Sequence, residues 1–135
     1  MALVAAAPAA SAAEYVVIRN AANSTPSATP QQVKAILLGE TQVWGSGTVV
    51  QVVLPETDSP ALAGLATDLL GMQEAELRKR IRAAVFKGEM RRPLGCANDA
   101  ACLDLVKANR GAFAVMSLAA AAHLPDGVAA VHVKR

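Results

Sequence analysis

Aromatic side chains are nearly missing from this 135-residue sequence: Tyr15, Trp44, Phe86 and Phe113 make up 3% of it. Binders of single-stranded nucleic acid stack bases on aromatic platforms, and four scattered rings argue against that class. An excess of one charge is lacking too. Thirteen Lys and Arg stand against eleven Asp and Glu, leaving a formal +2, which implies neither a strongly basic nucleic-acid binder nor an acidic tail. No nucleic-acid partner is therefore expected. No run approaches the ~20 apolar residues of a membrane span, so no transmembrane segment is expected either. Neither a G-x-S-x-G elbow nor an H-E-x-x-H motif occurs, and the two histidines, His123 and His132, come late in the chain. They read as a surface residue and a strand-face residue. Glu56 and Asp58 form a carboxylate pair, but they sit in a turn where acidic residues favour the next helix N-terminus for structural reasons alone. The expectation is a protein that is not an enzyme and carries no cofactor.

Cysteine is limited to Cys96 and Cys102. Their C-x5-C spacing matches no usual zinc pattern, which leaves a disulfide or two free thiols ahead of a metal site. Residues 1–13, MALVAAAPAASAA, carry no charge and end in small residues that fit an A-x-A cleavage site before Glu14. This resembles the back half of a secretory signal peptide, the alternative being a disordered Ala-rich tail. Export to a periplasmic or secreted location would permit the disulfide. The expected organisation is a leader over 1–13 and a single domain over 14–135, a length sufficient for one core and short for two.

The hydrophobic content, 53%, must come largely from Ala, Val, Leu and Ile. Residues 15–19 (YVVIR) predict a short strand, and NAANSTPSATP a loop. Thr29 is placed to N-cap a helix, with Pro30 at its first position, Gln32 closing a capping box, an apolar stripe of Val33, Ile36 and Leu37, and Gly39 as the stop. The GSG that follows Trp44 lacks the Lys-Ser/Thr of a phosphate loop and predicts a plain turn. Residues 49–54 predict a buried strand. Ser59 and Pro60 open a helix whose core face is Leu62, Leu65, Ala66 and Leu69, ending before Gly71. A further helix over about 73–86 carries Leu77, Ile81 and Val85 at four-residue spacing.

KGEMRRPLG predicts a loop, and Asn98 or Asp99 caps a helix running to about Ala108. GAFAV predicts a strand, 117–123 a helical or irregular stretch, LPDG a turn and 128–133 a last strand. Strands separated by helices imply an α/β layered domain with a mostly parallel, mixed sheet. Arg78, Lys79, Arg80, Arg82, Lys87, Arg91 and Arg92 cluster around the third helix, interspersed with Glu74, Glu76 and Glu89. They predict a solvated face, the alternative being a patch for a polyanion or a membrane surface.

Several of these phrases occur together in one family. TPQQVKAILLGETQVWGSGTVVQVVLPETDSP resembles the segment of the phosphate-binding proteins of bacterial ABC transporters in which a helix ends in an IF-L-G phrase, a Trp follows, and a strand leads into an Arg-containing Gly-Ser-rich turn. VFKGEMRRPLGCANDAACLDLVKANRGAFAVMS is similar to the same family's F-x-G…P loop, helix and N-P-G-A-I-G-Y-V strand. The resemblance covers residues 15–133. It implies a short version of the periplasmic-binding-protein-like (type 2) fold and a substrate-binding function in which phosphate is held by backbone N–H groups, hydroxyls and an Arg. Matched position by position, that Arg falls on Leu54, an acidic position on Glu56 and the Gly-Ser region on Thr57, Asp58 and Ser59. The Arg is absent, and Asp58 adds negative charge where a hydroxyl is expected, unless a one-residue shift places Ser59 there.

A turn from a strand into a helix N-terminus offers unpaired N–H groups and a positive dipole end to an anion. Here its carboxylates repel one. The expected ligand-binding residues are Ser24, Thr25, Thr57, Asp58 and Ser59, with the loop after the first strand facing the same cleft as the turn. Two functions follow: an exported solute-binding-like protein for a small anion such as phosphate, with altered or lost phosphate binding, or an interaction module that associates with an envelope protein or with itself.

Overall fold

A computed structural model describes residues 15–23, 27–44, 47–57 and 59–133. Among these the chain runs β1 (Tyr15–Asn20), β2 (Ser27–Ala28), α1 (Pro30–Leu37), β3 (Gln51–Pro55), α2 (Pro60–Leu65) and a π-helical turn (Ala66–Leu70). It continues through α3 (Glu74–Phe86), β4 (Leu94–Cys96), α4 (Asp99–Ala108), β5 (Ala112–Ser117), a 3₁₀ turn (Ala120–His123) and β6 (Val128–Val133). The strands form one mixed sheet in the order β2-β6-β1-β5-β3-β4. Its β2–β6, β3–β4 and β3–β5 pairings are parallel. β1 lies in the middle and runs antiparallel to both β5 and β6.

Local chemistry sets the helix starts. Thr29 closes a full capping box with Gln32, Ser59 Oγ accepts from the Leu62 N–H, and Asn98 Oδ1 accepts from the Ala101 N–H. At the far end of the α2 segment Gly71 takes φ +67°, the left-handed conformation that stops a helix without a Cβ clash. The KGEMRRPLG loop is shorter than expected, because Leu94 and Gly95 enter β4. That strand is three residues long, pairs among the described residues with β3 alone and shows no alternation of apolar and polar residues, so it leaves little trace in the sequence.

Alternate residues of each strand feed two cores. Val17, Val52, Leu54, Phe113 and Val115 point to the face covered by α1, α2 and α3, where they meet Leu37, Leu62 and Leu77. Ile18, Val53, Ala114 and Met116 point to the other face, where α4 brings Cys102 and Val106. The Ala- and Val-rich composition suits this double burial, since small and β-branched residues fill a sheet covered on both faces. Trp44 is a core residue: its ring packs against Phe113 at 6.1 Å between centroids, and its Nε1 donates to the Gly111 carbonyl at 2.9 Å. Cys96 at the end of β4 and Cys102 on α4 are joined as a disulfide, with Cα atoms 5.1 Å apart.

Candidate functional site

β3 ends at Pro55 and delivers the chain to the turn that opens α2. The Glu56 N–H donates to the Cys96 carbonyl at 2.9 Å, which anchors the start of the turn to β4. The Glu56 carboxylate, exposed, lies beside Gly95. Ser59 caps α2 with its hydroxyl, 3.2 Å from the Leu62 nitrogen, so the hydroxyl already serves one of the free N–H groups of the helix start.

A second backbone donor of this turn is engaged as well. The Ser59 N–H donates at 3.2 Å to Glu74 Oε2, a carboxylate from the first turn of α3. Glu74 in turn is held by Arg78, one helical turn later: Arg78 Nε and a terminal nitrogen each lie 2.9 Å from Glu74 Oε2. The same guanidinium donates to the Pro55 carbonyl at 2.9 Å and to the Thr57 carbonyl at 2.9 Å. A single Arg thus ties together the end of β3, the turn and the start of α3. The pair is largely shielded, with side-chain exposures of 13% for Glu74 and 20% for Arg78.

Position 54, where the resemblance puts an Arg, holds a buried Leu. The guanidinium found at this turn comes instead from Arg78, which the sequence pattern had assigned to a solvated face. Of the expected ligand residues, Thr57 contributes its carbonyl to Arg78, and Ser59 is committed as cap and as donor to Glu74. Asp58, Ser24 and Thr25 lie outside the described residues. The described residues on either side of them lie in two separate regions. β1 is antiparallel to β5, and β3 is parallel to it, so Asn20 and Asn23 leave the sheet at the end opposite to the one where Thr57 sits. Ser27, which follows Ser24 and Thr25, begins edge strand β2, with β6, β1 and β5 between it and β3. Four strand spacings amount to roughly 19 Å. These flanking residues thus lie at opposite ends of the sheet, while Ser24, Thr25 and Asp58 themselves lie outside the described residues.

Arg78 and Arg82 both line two surface clefts, of about 400 and about 630 Å³, the second of which also includes Glu74. Neither is lined by Thr57 or Ser59. Among the described residues no three His, Cys, Asp or Glu side chains are grouped to hold a metal ion, and no helix is long and apolar enough to cross a membrane.

No protein-family model matches the sequence, and no curated protein matches it. Solved structures do share the fold. A phosphate ABC transporter substrate-binding protein from Clostridium perfringens, solved with bound phosphate, superposes with a TM-score of 0.65 at 19% identity, covering 98% of this chain and 52% of that one. PstS from Borrelia burgdorferi gives a TM-score of 0.68 at 13% identity over 90% of this chain and 47% of that one. An ABC-type phosphate transport receptor from Vibrio cholerae gives 0.59 at 17% identity over 89% and 46%. The chain therefore shares the fold of part of these structures and spans about half the length of each.

Proposed function

We propose that the chain is an exported, non-catalytic module of solute-binding type whose strand-to-helix turn no longer takes free phosphate. The observation that carries this reading is the bond from the Ser59 N–H to Glu74. The turn keeps the architecture of an anion site, and the anion it holds is a side chain of its own. Phosphate arriving there must displace Glu74 from both Ser59 and Arg78, where each charge-assisted hydrogen bond contributes on the order of 1.5–3 kcal/mol. It must also approach a retained carboxylate. The fold shared with phosphate-binding proteins supports the solute-binding class, and the Cys96–Cys102 disulfide suits an oxidising, exported setting.

Thermal unfolding in phosphate tests the reading. The wild-type chain is expected to show no saturable shift. Glu74→Ala frees the Ser59 N–H and one edge of the Arg78 guanidinium, and it is expected to gain a phosphate-dependent rise in midpoint. At 100 times the dissociation constant the gain is about 2.7 kcal/mol, several degrees for a domain of this size. A saturable phosphate shift in the wild type would overturn the proposal, as would a flat response of the folded Glu74→Ala variant.

A further inference from the structure

The cleft of about 400 Å³ beside Arg78 has a composition that the turn does not explain. Its apolar floor is made by Leu54 of β3, Ile81 and Val85 of α3, and Pro93 from the segment before β4. Around this floor stand Arg82, Arg92 and the ring of Phe86, which is 93% exposed. Among the described residues no carboxylate lines the cleft. Arg78 is neutralised by Glu74 on its other side, whereas Arg82 and Arg92 have no ion pair or side-chain hydrogen bond among the described residues. Positions 78, 82 and 86 recur every four residues, which puts two cations and the aromatic ring along one stripe of α3.

The opposite wall is held in place before any ligand arrives. Gln51 Nε2 donates to the Arg92 carbonyl at 3.2 Å, Gln42 Nε2 to the Glu89 carbonyl, and the Met90 side chain is buried against Gly39. A preformed concave site with an apolar floor and a few convergent cations is the usual form of a small-molecule pocket.

We infer that this cleft binds a small amphipathic anion, a carboxylate or phosphate monoester on an aliphatic body, with the head between Arg82 and Arg92 and the body on Leu54, Ile81 and Phe86. Charge complementarity selects the anionic head, since among the described residues the guanidiniums of Arg82 and Arg92 have no ion pair and the lining of this cleft contains no acid. Concavity selects a small molecule over a membrane. A flat bilayer reaches the exposed ring of Phe86 but not a floor formed by the buried Leu54 and Ile81. The inference goes beyond the reading of the turn and does not depend on it, because Thr57 and Ser59 take no part in this cleft.

Calorimetric titration of the whole chain with octanoate and octyl phosphate, kept below their aggregation concentrations, tests it. Both are expected to bind at one site, with octanol and inorganic phosphate at least about tenfold weaker, since each lacks one half of the recognition. The double variant Arg82→Ala, Arg92→Ala is expected to weaken octyl phosphate about tenfold to a hundredfold with an unchanged thermal midpoint, because both side chains are exposed. Phe86→Ala is expected to weaken both amphiphiles while leaving the fold intact. Absence of amphiphile binding would overturn the inference. So would inorganic phosphate binding as tightly as octyl phosphate, affinity untouched by the double variant, or binding to phosphatidylglycerol vesicles without binding of the monomeric amphiphile. Because the response is read through Arg82 and Arg92, it is separable from any response at Ser59 and Glu74.

Discussion

Arg78 and Arg82 lie one turn apart on the same helix and have opposite fates. Arg78 spends its guanidinium inside the protein, on Glu74 and on the carbonyls of Pro55 and Thr57. Arg82 borders a cleft and has no partner among the described residues. The difference teaches where binding capacity resides in this fold. At the strand-to-helix turn the Ser59 N–H and the Arg78 guanidinium are engaged internally, so the region acts as a joint between β3, α2 and α3. In the adjoining cleft Arg82 and Arg92 have no ion pair among the described residues, and the inferred capacity for an external anion lies there.

Substitution at the two arginines gives the widest separation. Arg78→Ala leaves the shielded Glu74 carboxylate without its counter-charge and strips two carbonyls of their donor, and is expected to destabilise by about 2–4 kcal/mol. Arg82→Ala is expected to stay within about 0.5 kcal/mol of wild type. Urea unfolding of both variants reads the contrast directly, and equal effects would break it.

A smaller effect sharpens the description of the turn. Ser59→Ala removes the cap of α2 but keeps the backbone N–H that serves Glu74, and is expected to destabilise by about 1 kcal/mol. Ser59→Gly is expected to lose only a few tenths of that unit, because glycine is tolerated at the cap position. If the alanine and glycine variants melted alike, the hydroxyl's bond to Leu62 would not be what fixes the helix start.

The smallest effect comes from the other ion pair of α3. Glu76 and Arg80 are also four residues apart and meet at 2.9 Å, but they are 45% and 50% exposed and touch no other element through that bond. The hydrogen bond from Arg80 holds the Glu76 carboxyl below its ordinary value of 4.5. A lowered folded-state pKa stabilises at pH above the ordinary value, and this contribution fades as pH falls through the lowered one. Glu76→Gln is therefore expected to lose less stability than Ser59→Ala at neutral pH and to converge with wild type in acid. Urea midpoints at neutral and acidic pH would show it. A wider gap in acid would contradict the sign.

Much of the scaffold was legible because it is local chemistry. Thr29, Pro30 and Gln32 announce α1, Ser59 and Pro60 announce α2, and Asn98 announces α4, each through side chains within three residues of the helix start. The phrases around Trp44 and Phe113 pointed to the fold that the solved structures share. What stayed hidden depends on distance along the chain. Glu74 and Ser59 are fifteen residues apart, and Arg78 and Pro55 twenty-three, so no local pattern joins them. Read alone, Glu74 and Arg78 are one more charged pair on a helix, like Glu76 and Arg80. The available signal was the place of Glu74 at the start of α3, the helix after the one that the strand-to-helix turn opens. The antiparallel course of β1 was hidden for the same reason, since strand direction is set by which strand pairs with which.

The most direct test of the central claim is the amide resonance of Ser59 followed during a phosphate titration of the wild-type chain. Occupancy of this donor by Glu74 predicts that the resonance stays fixed as phosphate rises and moves only after Glu74→Ala. A saturable shift of the Ser59 amide in the wild type would show that phosphate reaches the turn past Glu74, and would contradict the account.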